Sequence, residues 1–241
     1  MSTYLICIPT YNEAENIRGV IERTLATGIP GLSILVIDDG SPDGTANIVE
    51  AMAQGLANSR IHLLKRSSKS GLGPAYLAAF AWALEHSFDY VVEMDADGSH
   101  QPEELGRLLD ASRDADLVLG TRWMAGGKVE NWPFYRRAIS RIGTWYAEMA
   151  LKVPYKDLTG GYRVLSKNLL ETLDLRSIQT LGYGFQIEIA MRAFDAGLKV
   201  AEVPITFIER TQGRSKMSKR IVFEALERTT IWGFQRRINR R

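Results

Sequence analysis

The run "VVEMDADGSHQPEE" at residues 91–104 ends an apolar stretch with two aspartates one residue apart, Asp95 and Asp97. A glycine and a proline follow closely, so the chain turns here rather than continuing as a strand. Carboxylates at that spacing repel each other unless a cation lies between them. Three readings fit: a divalent ion held by carboxylate oxygens, an aspartate nucleophile beside an aspartate acid/base, or a solvated loop with no chemistry. A calcium loop of the EF-hand kind fails on spacing, because His100 and Gly106 stand where its glycine and glutamate belong.

Other stretches bear on the choice. "PTYNE" (9–13) closes the first apolar run and places Tyr11 and Glu13 where a base and a ribose would sit. "DDGSPDGT" (38–45) closes the second, with Asp38 and Asp39 poised to accept hydrogen bonds from a base or sugar. "KSGLGPA" (69–75) is a glycine loop entering a helix, suited to close ligand approach. Each alone is ordinary turn chemistry; their joint placement at strand ends favours a nucleoside diphosphate carried on a divalent cation. Mg²⁺ and Mn²⁺ suit that arrangement, since they take oxygen ligands and keep positions open for phosphate. None of these stretches is a G-x-G-x-x-G fingerprint or a P-loop, which lowers dinucleotide and kinase readings. "DADGS" also resembles the strand-end motif of haloacid-dehalogenase-type phosphatases. That motif normally ends a first strand, whereas here three strand–helix units precede it.

The elements that must position these residues follow from pattern. Apolar, β-branched runs at 4–8, 33–37, 61–64, 90–94 and 116–120 read as buried strands, with helices near 12–26, 45–57, 74–86 and 102–113. Asn12 and Glu15 have the spacing of a capping box, and Pro74 and Pro102 suit first-turn positions. This rhythm predicts an α/β fold, a mostly parallel doubly wound sheet with its site at the strands' C-terminal ends. Further on, 133–151 reads as a helix, "GGYRVL" as a short strand, "FQIEIAMRAFDAG" as a helix stopped by Gly197, and "KVAEVPITFIER" as one or two strands around Pro204.

The division expected is one domain over 1–217 and a basic amphipathic tail over 218–241. In the tail Ile221, Val222, Ala225, Leu226, Thr229 and Trp232 share one helical arc, and the phase is lost after Gly233. Two readings stand for it: a helix docked on the domain, or a membrane-surface element.

Bulk composition narrows little. The 241 residues carry 30 Lys+Arg against 28 Asp+Glu, a net charge of +2 that identifies no partner. The one cysteine, Cys7, excludes an intramolecular disulfide and fits a reducing compartment. The apolar part of the N-terminus is too short for a signal peptide, and no window approaches the ~20 apolar residues of a membrane span. The expectation is a cytoplasmic chain that does not cross a membrane.

In order, "IPTYNE", "DDGSPDGT", "GLGPAY", "MDADGSHQPEE", "GTRW", "DLTGGYRVL", "GYGFQIEI", "EVPITFIER" and "GRSKM" resemble the polyprenyl-phosphate mannose synthases, a branch of inverting glycosyltransferase family 2 with a GT-A fold. The likeness runs from about Ile6 to Lys216. It implies that Pro9, Tyr11, Glu13, Ile37 and Asp39 hold the nucleoside, and that Asp95, Ala96 and Asp97 hold the metal and sugar diphosphate. Arg122, Arg210 and Lys216 would contact phosphates, with Asp95, Asp97 and Arg122 as the catalytic set. Arg136, Ser140 and Arg214 would meet the acceptor phosphate. Some relatives place a glutamine ligand where this chain has Ser99. The implied reaction moves mannose from GDP-mannose to a polyprenyl phosphate, with Mg²⁺ or Mn²⁺, on the cytoplasmic face of a membrane. A membrane-protein partner would add to attachment, and no nucleic acid is involved.

The chemistry is coherent on its own terms. A phosphate monoester is already anionic at neutral pH and needs no strong base to attack an anomeric carbon. The protein must instead relieve repulsion between two anionic substrates, work suited to arginine forks and lysine point charges. Glu188 is expected either to orient substrate or to pair with Arg192 four residues on. The loop "TQGRSKM" (211–217) is expected to be mobile and to order over bound donor. Competing functions are a UDP-glucose-dependent polyprenyl-phosphate glucosyltransferase, the phosphatase, and a non-enzymatic membrane- or nucleic-acid-binding protein using its basic tail.

Overall fold

Strands buried on both faces need continuous apolar sequence rather than alternation, and the apolar runs supply it. They form β1 (Tyr4–Thr10), β2 (Leu32–Asp38), β3 (Ile61–Lys65), β4 (Tyr90–Glu93) and β5 (Leu117–Thr121) in the computed structural model. It describes residues 1–55, 60–210 and 219–239. Between these strands lie α1 (Ile17–Ala26), α2 (Thr45–Gly55), α3 (Leu72–Glu85) and α4 (Leu105–Ala111). The rest comprises β6 (Lys128–Glu130), α5 (Phe134–Leu151), β7 (Arg163–Ser166), α6 (Lys167–Thr172), α7 (Tyr183–Asp195), β8 (Val200–Pro204), β9 (Thr206–Ile208) and α8 (Lys219–Asn239).

The main sheet runs β3-β2-β1-β4-β7-β5-β8. All neighbours in it are parallel except β7, which is antiparallel to both β4 and β5. Side chains alternate across the sheet. Leu5, Cys7, Leu35, Ile37 and Val91 face α3, α5, α6 and α7, while Ile6, Ile8, Ile34, Val36 and Val92 face α1, α2 and α4. Each such leucine or isoleucine contributes about 1.5–3 kcal/mol by leaving water, so a charge at Ile6 or Leu35 would break the layer.

Three details depart from the sequence reading. The first helix starts at Ile17, not Asn12, and no side-chain cap bond is made at its N-terminus. Asn12 instead adopts φ +56°, and the Glu13 carbonyl accepts from the amides of Asn16 and Ile17, so a turn fills the residues between strand and helix. The strand in "GGYRVL" is found as β7, but periodicity carries no direction, and its antiparallel insertion between β4 and β5 was not foreseen. "KVAEVPITFIER" forms two strands around Pro204, one of its two expected readings, dividing at Ile205: β8 takes the edge of the main sheet, where a proline costs no ladder bond. β9 pairs instead with the unforeseen β6 in a second, two-stranded sheet.

The tail also differs. α8 is one helix packed on α5 and α7, with Ala225, Thr229 and Gly233 buried. A side chain at Gly233 would meet the Ala150 carbonyl at 2.8 Å, so the helices cross at backbone distance there. Part of the expected apolar arc is therefore the docked face. A separate row, Phe223, Phe234 and Ile238, stands in solvent. The expected mobile loop at 211–217, with Arg214 and Lys216, lies outside the described residues.

Candidate active site

The C-terminal ends of β1, β2 and β4 converge, and the loops leaving them tie one another down. Asn12 and Glu13 donate their amides to the hydroxyls of Ser41 and Thr45 (3.0 Å each), and Ala14 donates to Asp43 (3.0 Å). The Glu13 carboxylate in turn accepts from Asn16 Nδ2 at 2.9 Å. Asp38 is consumed by this scaffold, accepting from the Thr10 hydroxyl and from the amide and hydroxyl of Ser41. Asp39 is nearly buried and pairs with Arg66 at 3.1 Å. Burial nonetheless keeps its carboxyl above its ordinary value. Tyr11 lies at the mouth with the Lys69 ammonium 4.6 Å above its ring. Pro9 is half-buried at the end of β1. Ile37, expected to help hold a nucleoside, has its side chain wholly inside the core; its carbonyl accepts from the Thr10 hydroxyl at 3.3 Å.

The aspartate loop follows β4 directly. The Asp95 amide donates to His100 Nδ1 at 3.0 Å, which leaves the other ring nitrogen, Nε2, 3.8 Å from the Asp95 carboxylate. Burial depresses the imidazole to about 4, so His100 is a neutral brace. Ala96 packs into the core, turning its two neighbours outward together. The Ser99 amide donates to Asp97 Oδ1 at 3.0 Å. Burial, and then the Asp97 charge, push the Asp95 carboxyl well above the carboxylate range, with Arg210 pulling the other way. The pair is thus short of positive charge, and Arg210 partly supplies it through Nη2, 2.8 Å from Asp97 Oδ2. Two carboxylates in this condition fit a divalent cation. Among the described residues no third His, Cys, Asp or Glu completes a cluster.

Arg122, expected to contact phosphate, sits in a buried ion pair. It is buried, and its guanidinium grips the fully buried Asp157 from Nε at 2.7 Å and Nη2 at 2.8 Å, while its amide donates to the same carboxylate at 3.1 Å. Burial alone would raise the Asp157 carboxyl, but Arg122 outweighs it and holds the group low. The rings of Trp123, Trp132 and Phe207 surround the guanidinium. Two nitrogens of the fork, Nε and Nη2, are thus held by Asp157.

Arg136, in the first turn of α5, lies 4.2 Å over the Trp132 ring and forms an ion pair with Glu209. Ser140 follows one turn later, half-buried. Tyr183, at the start of α7, is half-buried and within electrostatic reach of Asp95, Arg122, Arg136 and Arg210. Glu188 pairs with Arg192 at 2.5 Å and accepts from Thr180 at 2.8 Å, the structural one of its two expected roles. Sequence reasoning missed Asp157, His100, Tyr183 and Glu209 as members of the site. "DLTGGYRVL" held one signal, a lone aspartate before a double glycine: Gly160 donates its amide to Asp157 at 3.1 Å.

A parallel sheet opening on a metal-type aspartate loop, with an antiparallel strand in its second half, defines a glycosyltransferase of the GT-A fold. The chain belongs to glycosyl transferase family 2, whose profile matches residues 5–174. It is 47% identical over 233 residues to the undecaprenyl-phosphate mannosyltransferase of Micrococcus luteus, covering 97% of this chain and 95% of that one. It is also 47% identical over 238 residues to the polyprenol monophosphomannose synthase of Mycolicibacterium smegmatis, covering 98% and 89%. Among solved structures, glucosyl-3-phosphoglycerate synthase from Mycobacterium tuberculosis, in complex with Mn²⁺, UDP and glucosyl-3-phosphoglycerate, superposes with a TM-score of 0.68. That match has 22% identity and covers 95% of this chain and 80% of that one; it speaks to fold alone.

Proposed function

We propose that this protein transfers mannose from GDP-mannose to a polyprenyl phosphate at a membrane surface, releasing GDP and inverting the anomeric centre. The observation that carries the reading is near-full-length 47% identity to two enzymes named for mannosyl transfer to polyprenyl carriers. The cation-deficient Asp95–Asp97 pair supports the diphosphate half. Asp95 and Asp97 would hold Mg²⁺ or Mn²⁺, which when bound neutralises the departing diphosphate. Tyr11, Glu13 and Asp39 line the mouth where the nucleoside would lie. Arg136 and Arg210 lower the repulsion between the two anionic substrates, and Lys216 and Arg214 are proposed to add to this.

The lipid half draws support from the surface. Among the described residues no helix is long and apolar enough to cross a membrane. Yet α5 and α8 pack together and expose Phe134, Ile142, Trp145, Phe223, Phe234 and Ile238, with Phe134 85% accessible. Exposed apolar rows and the exposed Arg137, Arg141, Arg228 and Arg237 are suited to an anionic leaflet, with that leaflet taken to be the cytoplasmic one.

The test is transfer of labelled sugar into organic-extractable lipid, with GDP-mannose and UDP-glucose run in parallel. Metal-dependent transfer from GDP-mannose is expected. Transfer from UDP-glucose alone would replace the donor assignment, and release of inorganic phosphate without acceptor would replace the enzyme class.

A further inference from the structure

Glu209 and Arg210 are consecutive, and their side chains reach opposite halves of the site. Their backbone is pinned between those halves: Ile208 donates to the Ser99 carbonyl of the aspartate loop (3.1 Å), and Glu209 donates to the Glu130 carbonyl of β6 (3.1 Å). From this fixed point, Arg210 extends to Asp97, and Glu209 extends to Arg136. Arg136 stands in the first turn of α5, the helix that exposes Phe134, Tyr135 and Ile139. It stacks on Trp132, which meets Phe207 edge-on at 5.2 Å, two residues before Glu209.

Each contact has the charge pattern of a substrate contact. Arg210 gives Asp97 the positive charge that a cation would give, and Glu209 gives Arg136 the negative charge that a phosphate would give. We propose, resting on the transfer reaction above, that Glu209 is a positioning residue that occupies the acceptor-phosphate place on Arg136 until the donor binds. A nucleoside diphosphate with its cation competes with Arg210 for Asp97. Turned out of Asp97, the Arg210 guanidinium takes the neighbouring Glu209 carboxylate as its partner while the pinned backbone stays in place, so Arg136 becomes available to the lipid phosphate. Binding is thereby ordered, donor before acceptor, and the two sites are coupled through one dipeptide.

The test uses the full chain and a short, water-soluble polyprenyl phosphate, titrated calorimetrically with and without GDP plus Mn²⁺. For the wild type, GDP–Mn²⁺ should tighten acceptor binding by about tenfold, within the usual range of coupling between sites. In Glu209→Gln, acceptor binding should be tight already, and the gain should fall to about twofold or less. A second readout is the fluorescence of Trp132, taken as the difference from Trp132→Phe: GDP–Mn²⁺ should shift it in the wild type, and Glu209→Gln should show the shifted signal without ligand. Equal acceptor affinity with and without GDP–Mn²⁺ in the wild type overturns the proposal. So does a gain unchanged in a Glu209→Gln protein of wild-type melting temperature. Wild-type protein that mannosylates lipid without coupling sinks the positioning role alone; protein that never mannosylates lipid sinks the reaction beneath it.

Discussion

At the scale of single residues, Arg122 and Arg210 separate two jobs that their sequence contexts make look alike. Removing Arg122 leaves Asp157 buried without its partner, which costs about 3–5 kcal/mol. Arg122→Ala should therefore lower the melting temperature by on the order of 10 °C, and Asp157→Asn in the same chain should recover part of it. Arg210→Ala, at the rim, should melt near the wild type while turnover falls; scanning calorimetry beside the transfer assay distinguishes the two. Asp97→Asn should abolish transfer with the fold intact, and chelation should do so reversibly. Full activity in excess chelator would remove the metal assignment.

Glu93 gives a pH test at the same scale. Burial raises its carboxyl from 4.5 to about 7, with Arg163 across the strand pair pulling it back. The folded state therefore holds a proton that the unfolded chain releases earlier, and stability falls as pH rises from about 4.5 through 7. Glu93→Gln lacks this dependence. Its stability relative to the wild type should climb by on the order of 2–3 kcal/mol between pH 5 and 8. Urea unfolding in chelator measures it, and a difference constant with pH would refute it.

At the scale of elements, glycines mark where segments touch. A Cβ at Gly73 would sit 2.2 Å from the Thr180 carbonyl, so the first turn of α3 is backbone-close to the segment before α7. Gly73→Ala should displace that turn and lower expression and stability. Gly19, inside α1, has nothing within 4 Å, and Gly19→Ala should stabilise by about 0.5–1 kcal/mol. Thermal melts of both variants check the contrast.

This scale also shows what the sequence could reveal. The first strands and the Asp95-Ala96-Asp97 turn were legible because each is local: an apolar run, then turn residues carrying carboxylates. The Arg122–Asp157 pair joins residues 35 positions apart, and Arg136–Glu209 joins residues 73 apart. No spacing rule reaches that far. The exposed row on α8 was hidden because two apolar faces share one helix, and periodicity finds a face without saying which is covered.

At the scale of the molecule, α5 and α8 form a shared outer surface. Phe134→Ser with Phe234→Ser should weaken binding to anionic vesicles and raise the apparent KM for a long-chain acceptor, leaving a short soluble acceptor little affected. Point changes are the appropriate probe, since removing residues 233–241 would cut into the Gly233–Ala150 crossing and the Arg236–Asp195 pair. Equal effects on both acceptors would assign this surface to folding.

The insertion of β7 between β4 and β5 also has a consequence in time. While the chain is being synthesised, β4 and β5 are complete long before the strand that joins them. Translation proceeds at roughly 5–20 residues per second, so for some seconds both strands present open edges that only Arg163–Ser166 can close. The ribosome-bound chain thus passes through an interval when its sheet is divided into a β3-β2-β1-β4 block and an orphan β5. That interval, rather than the finished enzyme, is where chaperone dependence and aggregation at high expression should concentrate.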